Sequence, residues 1–193
     1  MKKLTMKTDL DLPIKGVING FEYFYYYDYI PMRIQTTEAL DVKRKFIHKF
    51  RDGLIDPEVI AKKITSDLGS FQLTSPISDW WLCVVPALNQ EITDRRFKLC
   101  CDLICEKLGM NNGYSLIKNI PHTEMTIYQI DRRVADMRDH CIFDRFHGKR
   151  VLIVDDVLDT GKTFTTIANT LIGQGAIEVR GVFIGKLSWG EKS

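Results

Sequence analysis

Four apolar residues, Val151-Leu-Ile-Val154, run straight into two aspartates, Asp155 and Asp156, and then into Leu158-Asp-Thr-Gly-Lys-Thr163. That order leaves few folds open. An uninterrupted apolar run of strand length suits a strand covered on both faces, as in a parallel sheet with helices on either side. Two adjacent carboxylates are costly to desolvate, so they belong at the C-terminal end of such a strand, where water, a cation or hydroxyl donors can meet them. Gly161 then lets the backbone approach a ligand closely. The amides of Thr160, Gly161, Lys162 and Thr163, at the positive end of a following helix, point at an anion, and the two threonines add hydroxyl donors. A diol clamp just upstream of a phosphate cradle describes a site for a ribose 5-phosphate.

The rest of the chain alternates in the same style. Residues 80–85 (WWLCVV) read as a buried strand stopped by Pro86, and 91–108 as an amphipathic helix burying Phe97, Cys100, Cys101, Ile104 and Leu108, with Gly109 as its stop. Residues 114–117 read as a short strand, 127–138 as a weakly periodic helix, 151–154 as a strand, 162–174 as a helix and 179–184 as a last strand. Further upstream, 37–51 is a helix ended by Gly53. A second helix starts at Asp56-Pro57, carries Ile60, Ile64 and Leu68 on one side, and ends at Gly69. Strands alternating with helices give an α/β fold with a mainly parallel sheet. The 193 residues suit one domain, with residues 1–35 as an N-terminal cover or strands and 36–193 as the core. Residues 21–29 (FEYFYYYDY) hold seven aromatics in nine positions. They read as one or two strands outside the main sheet, packed on the core; the competing reading is a stacking surface for bases.

Several classes are set aside. Gly161-Lys-Thr163 ends like a Walker A loop, but that motif needs a glycine where this chain has Asp156. A net charge of +2 gives no support for a dedicated nucleic-acid domain. Five cysteines, with no CxxC pair, read as buried free thiols in a reducing compartment rather than a zinc site. His48, His122, His140 and His147 are scattered, with no ligand spacing. The basic cluster 145–150 reads as a loop. No segment approaches the ~20 apolar residues of a membrane span, and the N-terminus has no apolar run of a signal peptide, so a cytoplasmic location is expected.

The segment VLIVDDVLDTGKT resembles the phosphoribosyl pyrophosphate (PRPP) motif of type I phosphoribosyltransferases. Residues 46–64, 84–99, 129–138 and 148–163 together resemble the competence protein F (ComF-like) branch. The resemblance implies that family's fold, a mainly parallel sheet with helices on both faces and a small N-terminal hood over the acceptor. It implies glycosyltransfer of phosphoribosyl with Mg²⁺, with PRPP or a nucleoside monophosphate as partner, and a homodimer. Asp155 and Asp156 would hold the ribose hydroxyls and, indirectly, Mg²⁺. Thr160, Gly161, Lys162 and Thr163 would hold the 5′-phosphate, and Pro86, Ala87 and Leu88 would face pyrophosphate. Arg95 and Arg96 either close over the leaving group or form a solvated helix face. The chain departs from the ComF-like pattern in two places. No paired cysteines of a zinc ribbon precede Cys83, and Asp159 stands where that branch has Thr. An acid there is a purine-salvage feature, so Asp159 is either a general base toward a purine nitrogen or a turn residue capping the next helix. Lys186 aligns with a base-proximal lysine of those enzymes, or is a snorkelling surface lysine. Two other functions stay open: a non-catalytic PRPP or nucleotide sensor associated with DNA uptake, and an interaction module acting through residues 21–29.

Overall fold

The computed structural model describes residues 12–87, 90–119, 141–143 and 145–188. Its strands are β1 (Ile14–Ile18), β2 (Phe21–Tyr29), β3 (Trp80–Val84), β4 (Asn111–Asn112), β5 (Ile117–Asn119), β6 (Cys141–Phe143), β7 (Arg150–Leu158) and β8 (Glu178–Leu187). Its helices are α1 (Glu38–Arg51), α2 (Pro57–Asp67), α3 (Gln90–Thr93), α4 (Leu99–Leu108) and α5 (Lys162–Gly173). The predicted helix over 127–138 lies outside the described residues.

Local chemistry explains the helix starts. Thr37 caps α1 by accepting a hydrogen bond from the Leu40 amide, and Asp56 caps α2 by accepting from the Glu58 amide, with Pro57 in first place. The predicted 91–108 helix is present but not regular. Between α3 and α4 it widens into a π-helical turn over Asp94–Lys98, and Gly109 closes it in the left-handed conformation.

The main sheet has six strands in the order β1-β2-β8-β7-β3-β4. Every neighbouring pair from β2 to β4 is parallel, and β1 runs antiparallel at the edge. The fold is therefore mixed α/β with a mostly parallel sheet, as predicted. On one face, Phe46, Ile47, Phe50, Ile60, Ile64, Phe97 and Ile104 pack against Phe24, Leu82, Leu152 and Val154. On the other, Phe164, Ile167, Ala168 and Leu171 of α5 pack against Cys83, Val151, Ile153 and Phe183. The alternation along β7 thus feeds two cores. Cys83, Cys100, Cys101 and Cys105 are buried free thiols inside them. Among the described residues no helix is long and apolar enough to cross a membrane.

Two readings need correction. The aromatic run does not stand outside the main sheet: it is β2, second in the order and paired along its length with β8. Its rings are core. Tyr23, Phe24, Tyr26 and Tyr27 are all at most 5% exposed, so they are closed to base stacking. The bulk of these rings needs two hydrophobic layers, which only an internal strand offers. The strand at 114–117 is also misplaced. β4 ends at Asn112 because Gly113 turns against β3, its amide donating to the Leu82 carbonyl at 2.9 Å. Any Cβ there would meet Cys83 Sγ. The next strand, β5, starts at Ile117 and pairs with β6 in a separate two-stranded ribbon.

Candidate functional site

The acidic pair does not follow the strand; it lies within it. β7 continues to Leu158; pairing with β8 includes Asp155↔Phe183, skips Asp156 and resumes at Val157↔Gly185 and Leu158↔Lys186. The pleat is broken at this level. Val154 and Val157, three positions apart, pack on the same core, as do the consecutive residues Tyr26 and Tyr27 of β2. A Cβ on Gly185 would also point at Ile47 of that core, beside Ile184. The slip crosses three strands in register, and Asp155 and Asp156 sit on it. Slips of this kind re-aim side chains near functional sites.

The two carboxylates are held differently. Asp155 accepts a hydrogen bond from the Asp156 amide, and Asp156 one from the Val157 amide, each at 2.7 Å. Burial, reinforced by the Asp156 charge, pushes the Asp155 carboxyl well above the usual carboxylate range. The other Asp156 oxygen, Oδ2, receives Arg96 Nη1 at 3.1 Å and Arg51 Nε at 3.3 Å. Burial lowers the pKa of the Arg96 guanidinium, and the Asp156 charge opposes that fall.

Arg51 went unnoticed in the sequence. It is the last residue of α1, ahead of Gly53, and looks like an ordinary basic helix end. Only the tertiary fold brings it to Asp156. Arg96 gets there because the π turn advances it into the site, and its neighbour Arg95 is exposed with its stem against Gly53. The two arginines predicted together therefore separate: Arg96 joins the acids, and Arg95 lies on the rim by the α1–α2 turn.

The turn at 159–163 leads from β7 into α5. Gly161 takes φ 75° at the N-cap of α5, where it offers no side chain of its own. Thr160 Oγ1 accepts from the Lys162 amide at 3.4 Å. Asp159 and Thr160 are exposed, Thr163 partly so, and Gly161 is buried under Ile18 of β1, which a Cβ there would overlap. The capping role weighed for Asp159 is thus not taken up. After β3, the Ala87 amide donates to Thr93 Oγ1 at 2.9 Å, which ties Pro86 and Ala87 to α3; Leu88 lies outside the described residues. Lys186 is not a free surface lysine. Its ammonium stands 5.4 Å from the centre of the Tyr25 ring and 5.6 Å from that of Tyr23. A hydrogen bond to Tyr23 raises its pKa.

Among the described residues no three His, Cys, Asp or Glu side chains converge on a metal position. Asp155 and Asp156 offer carboxylate oxygens, the donor type a hard cation takes, and two such groups alone would leave most of its shell to water or other oxygens. A cleft of about 470 Å³ between α2 and α4, lined by Ala61, Thr65 and Leu103, shares no residue with this site.

Residues 122–185, about a third of the chain, match the phosphoribosyl transferase domain. That span takes in the acidic pair, the Gly161 turn, α5 and most of β8. No curated protein matches the chain. Among solved structures it is similar to hypoxanthine phosphoribosyl transferase of Trypanosoma cruzi, at 17% identity over 76% of this chain and 69% of that one, with a TM-score of 0.39. It is also similar to the hypoxanthine phosphoribosyltransferase of that organism in complex with the product IMP, at 16% identity over 71% and 66%, with a TM-score of 0.35.

Proposed function

We propose that this chain is a phosphoribosyltransferase-type protein of a single domain. It binds PRPP with Mg²⁺ and transfers phosphoribosyl to or from a nucleobase-like acceptor, with pyrophosphate as co-product. One observation carries the reading: an acidic pair re-aimed by the slipped pleat leads within one turn to a helix N-terminus that opens on Gly161 in the left-handed conformation. Diol acceptors and anion donors at that spacing fit a ribose 5-phosphate.

As the bond from the ribose to pyrophosphate breaks, positive charge grows on the sugar ring and negative charge on the leaving group. Asp155 and Asp156 accept the ribose hydroxyls and oppose the first charge. The backbone amides of 160–163 anchor the 5′-phosphate. The turn at Pro86 and Ala87, with Arg95 and Arg96, faces the leaving group. Mg²⁺ bound to the pyrophosphate would neutralise it, with Asp155 and Asp156 holding the ion through water. Asp159, exposed beside the cradle, accepts a proton from the acceptor. Lys186 pairs in register with Leu158, next in sequence to Asp159, which supports a role for it toward the acceptor.

The test is calorimetric titration with PRPP and Mg²⁺, then assay of pyrophosphate release with a panel of bases. Binding is expected in the wild type and lost in the double variant Asp155→Asn/Asp156→Asn. Unchanged affinity in that variant would refute the site. Binding without release from any base would identify a PRPP sensor, the alternative that the ComF-like resemblance keeps in view.

A further inference from the structure

Arg51 and Arg96 end on the same carboxylate oxygen, Asp156 Oδ2, from two different elements, α1 and the π turn. Their surroundings differ. The Arg51 side chain is 46% exposed and free to swing, whereas that of Arg96 is 13% exposed and fixed. The fixed one is not satisfied: Arg96 Nε is buried with no acceptor among the described residues. An unmet guanidinium donor beside an anion-binding turn calls for an anionic ligand. Arg95 adds a third guanidinium on the rim, its stem against Gly53, two residues after Arg51. Two arginines therefore share a single carboxylate that a ribose diol also needs, with Arg95 on the rim nearby.

These facts describe a competition. Asp156 Oδ2 has limited lone-pair capacity: Arg96 Nη1 donates a charge-assisted hydrogen bond to it, and Arg51 adds an ion pair at 3.3 Å. A ribose hydroxyl arriving there displaces at least the exposed one. The released guanidinium then has no carboxylate partner and lies next to the position assigned to the leaving group.

We infer that Arg51 is an exchanging latch: paired with Asp156 in the empty site, it transfers to the pyrophosphate group when the ribose hydroxyls take Asp156. The inference rests on the PRPP reading above and adds to it a residue from α1, outside the 122–185 match. Arg51 thereby opposes ligands that bring only a ribose phosphate and favours those that also bring pyrophosphate. The protein discriminates PRPP from ribose 5-phosphate by more than the extra contacts of a fixed site.

The experiment is titration of wild type and Arg51→Ala with ribose 5-phosphate and, separately, with PRPP, both with Mg²⁺, alongside thermal melts. The latch predicts opposite signs. Losing Arg51 frees Asp156, so ribose 5-phosphate binds about threefold tighter, while PRPP binds about tenfold weaker for want of a charge-assisted contact. Affinities that move in the same direction, or do not move, overturn the latch and leave the PRPP site standing. A wild type that binds neither ligand overturns the site and the latch together. Arg51→Gln, which keeps a polar but uncharged side chain on a shorter stem, must show the same opposed signs if Arg51→Ala melts below the assay temperature.

Discussion

Burial of the Asp155 carboxyl against the Asp156 charge raises its pKa in the folded chain, and the sign of the consequence is definite. In the unfolded chain an aspartate ionises near about pH 4. Between there and its higher folded value, the native state holds a proton that the unfolded state has released. Stability is therefore fully retained below about pH 4 and falls as pH rises through the folded value. Asp155→Asn keeps an acceptor for the Asp156 amide and removes the buried charge. It should stabilise the protein at pH 7–8, read as a higher melting temperature than the wild type at that pH. The gain should vanish near pH 4; a gain independent of pH would show that charge burial is not its source. At this scale the sequence was informative where chemistry is local. Asp155, Asp156 and Gly161 could be read because adjacent acids and a glycine at a helix start have few other uses. Arg51 could not be read, because its partner is 105 residues away and nothing near it in sequence marks the pairing.

Elements show the same division. Helix starts at Thr37 and Asp56 follow short-range rules and fall where the pattern puts them. Three features needed the third dimension: the extension of β7 through its acids, the π turn that advances Arg96, and the place of β2 inside the sheet. In each, pairing or packing with a distant strand overrides a stop or a period read along the chain. The β1–β2 hairpin has a local signature as well, with Asn19 at φ 49° and Gly20 at φ 85° between strands, a two-residue turn that suits Asn-Gly. What the sequence hides is that this hairpin reaches the cradle, with Ile18 against Gly161. Gly161→Ala should cost about 1–3 kcal/mol, from left-handed backbone strain and from overlap with Ile18. Urea titration should show Ile18→Ala recovering the overlap part in the double variant and not the strain. Strict additivity of the two changes would mean that hairpin and cradle are uncoupled. Phosphate-ligand binding should stay lost in both.

Across the whole molecule, the far end of the sheet is pinned by a buried charge. Arg180, 6% exposed, donates to the carbonyls of Phe71 and Gln72 at 2.7 and 3.0 Å. It also pairs with Glu178 at 2.7 Å and with Glu22 at 3.0 Å. One side chain thus ties β2, β8 and the turn after α2. Arg180→Met should destabilise by about 1–3 kcal/mol because it leaves the Phe71 and Gln72 carbonyls without their donor and takes one cation from Glu22 and Glu178, which keep Lys15 and Arg150, and Arg180→Met with Glu22→Gln should recover part of the loss in denaturant unfolding. The pairing of β2 with β8 has another result, one of timing. Residues 21–29 leave the ribosome well before their parallel partner, residues 178–187, which is made about 150 residues later. Synthesis at about 5–20 residues per second leaves the aromatic ribbon waiting on the order of ten seconds with one long edge open. A nascent chain of this design needs a chaperone or a transient cover over that ribbon, and one that stalls before its last strand is a seed for aggregation.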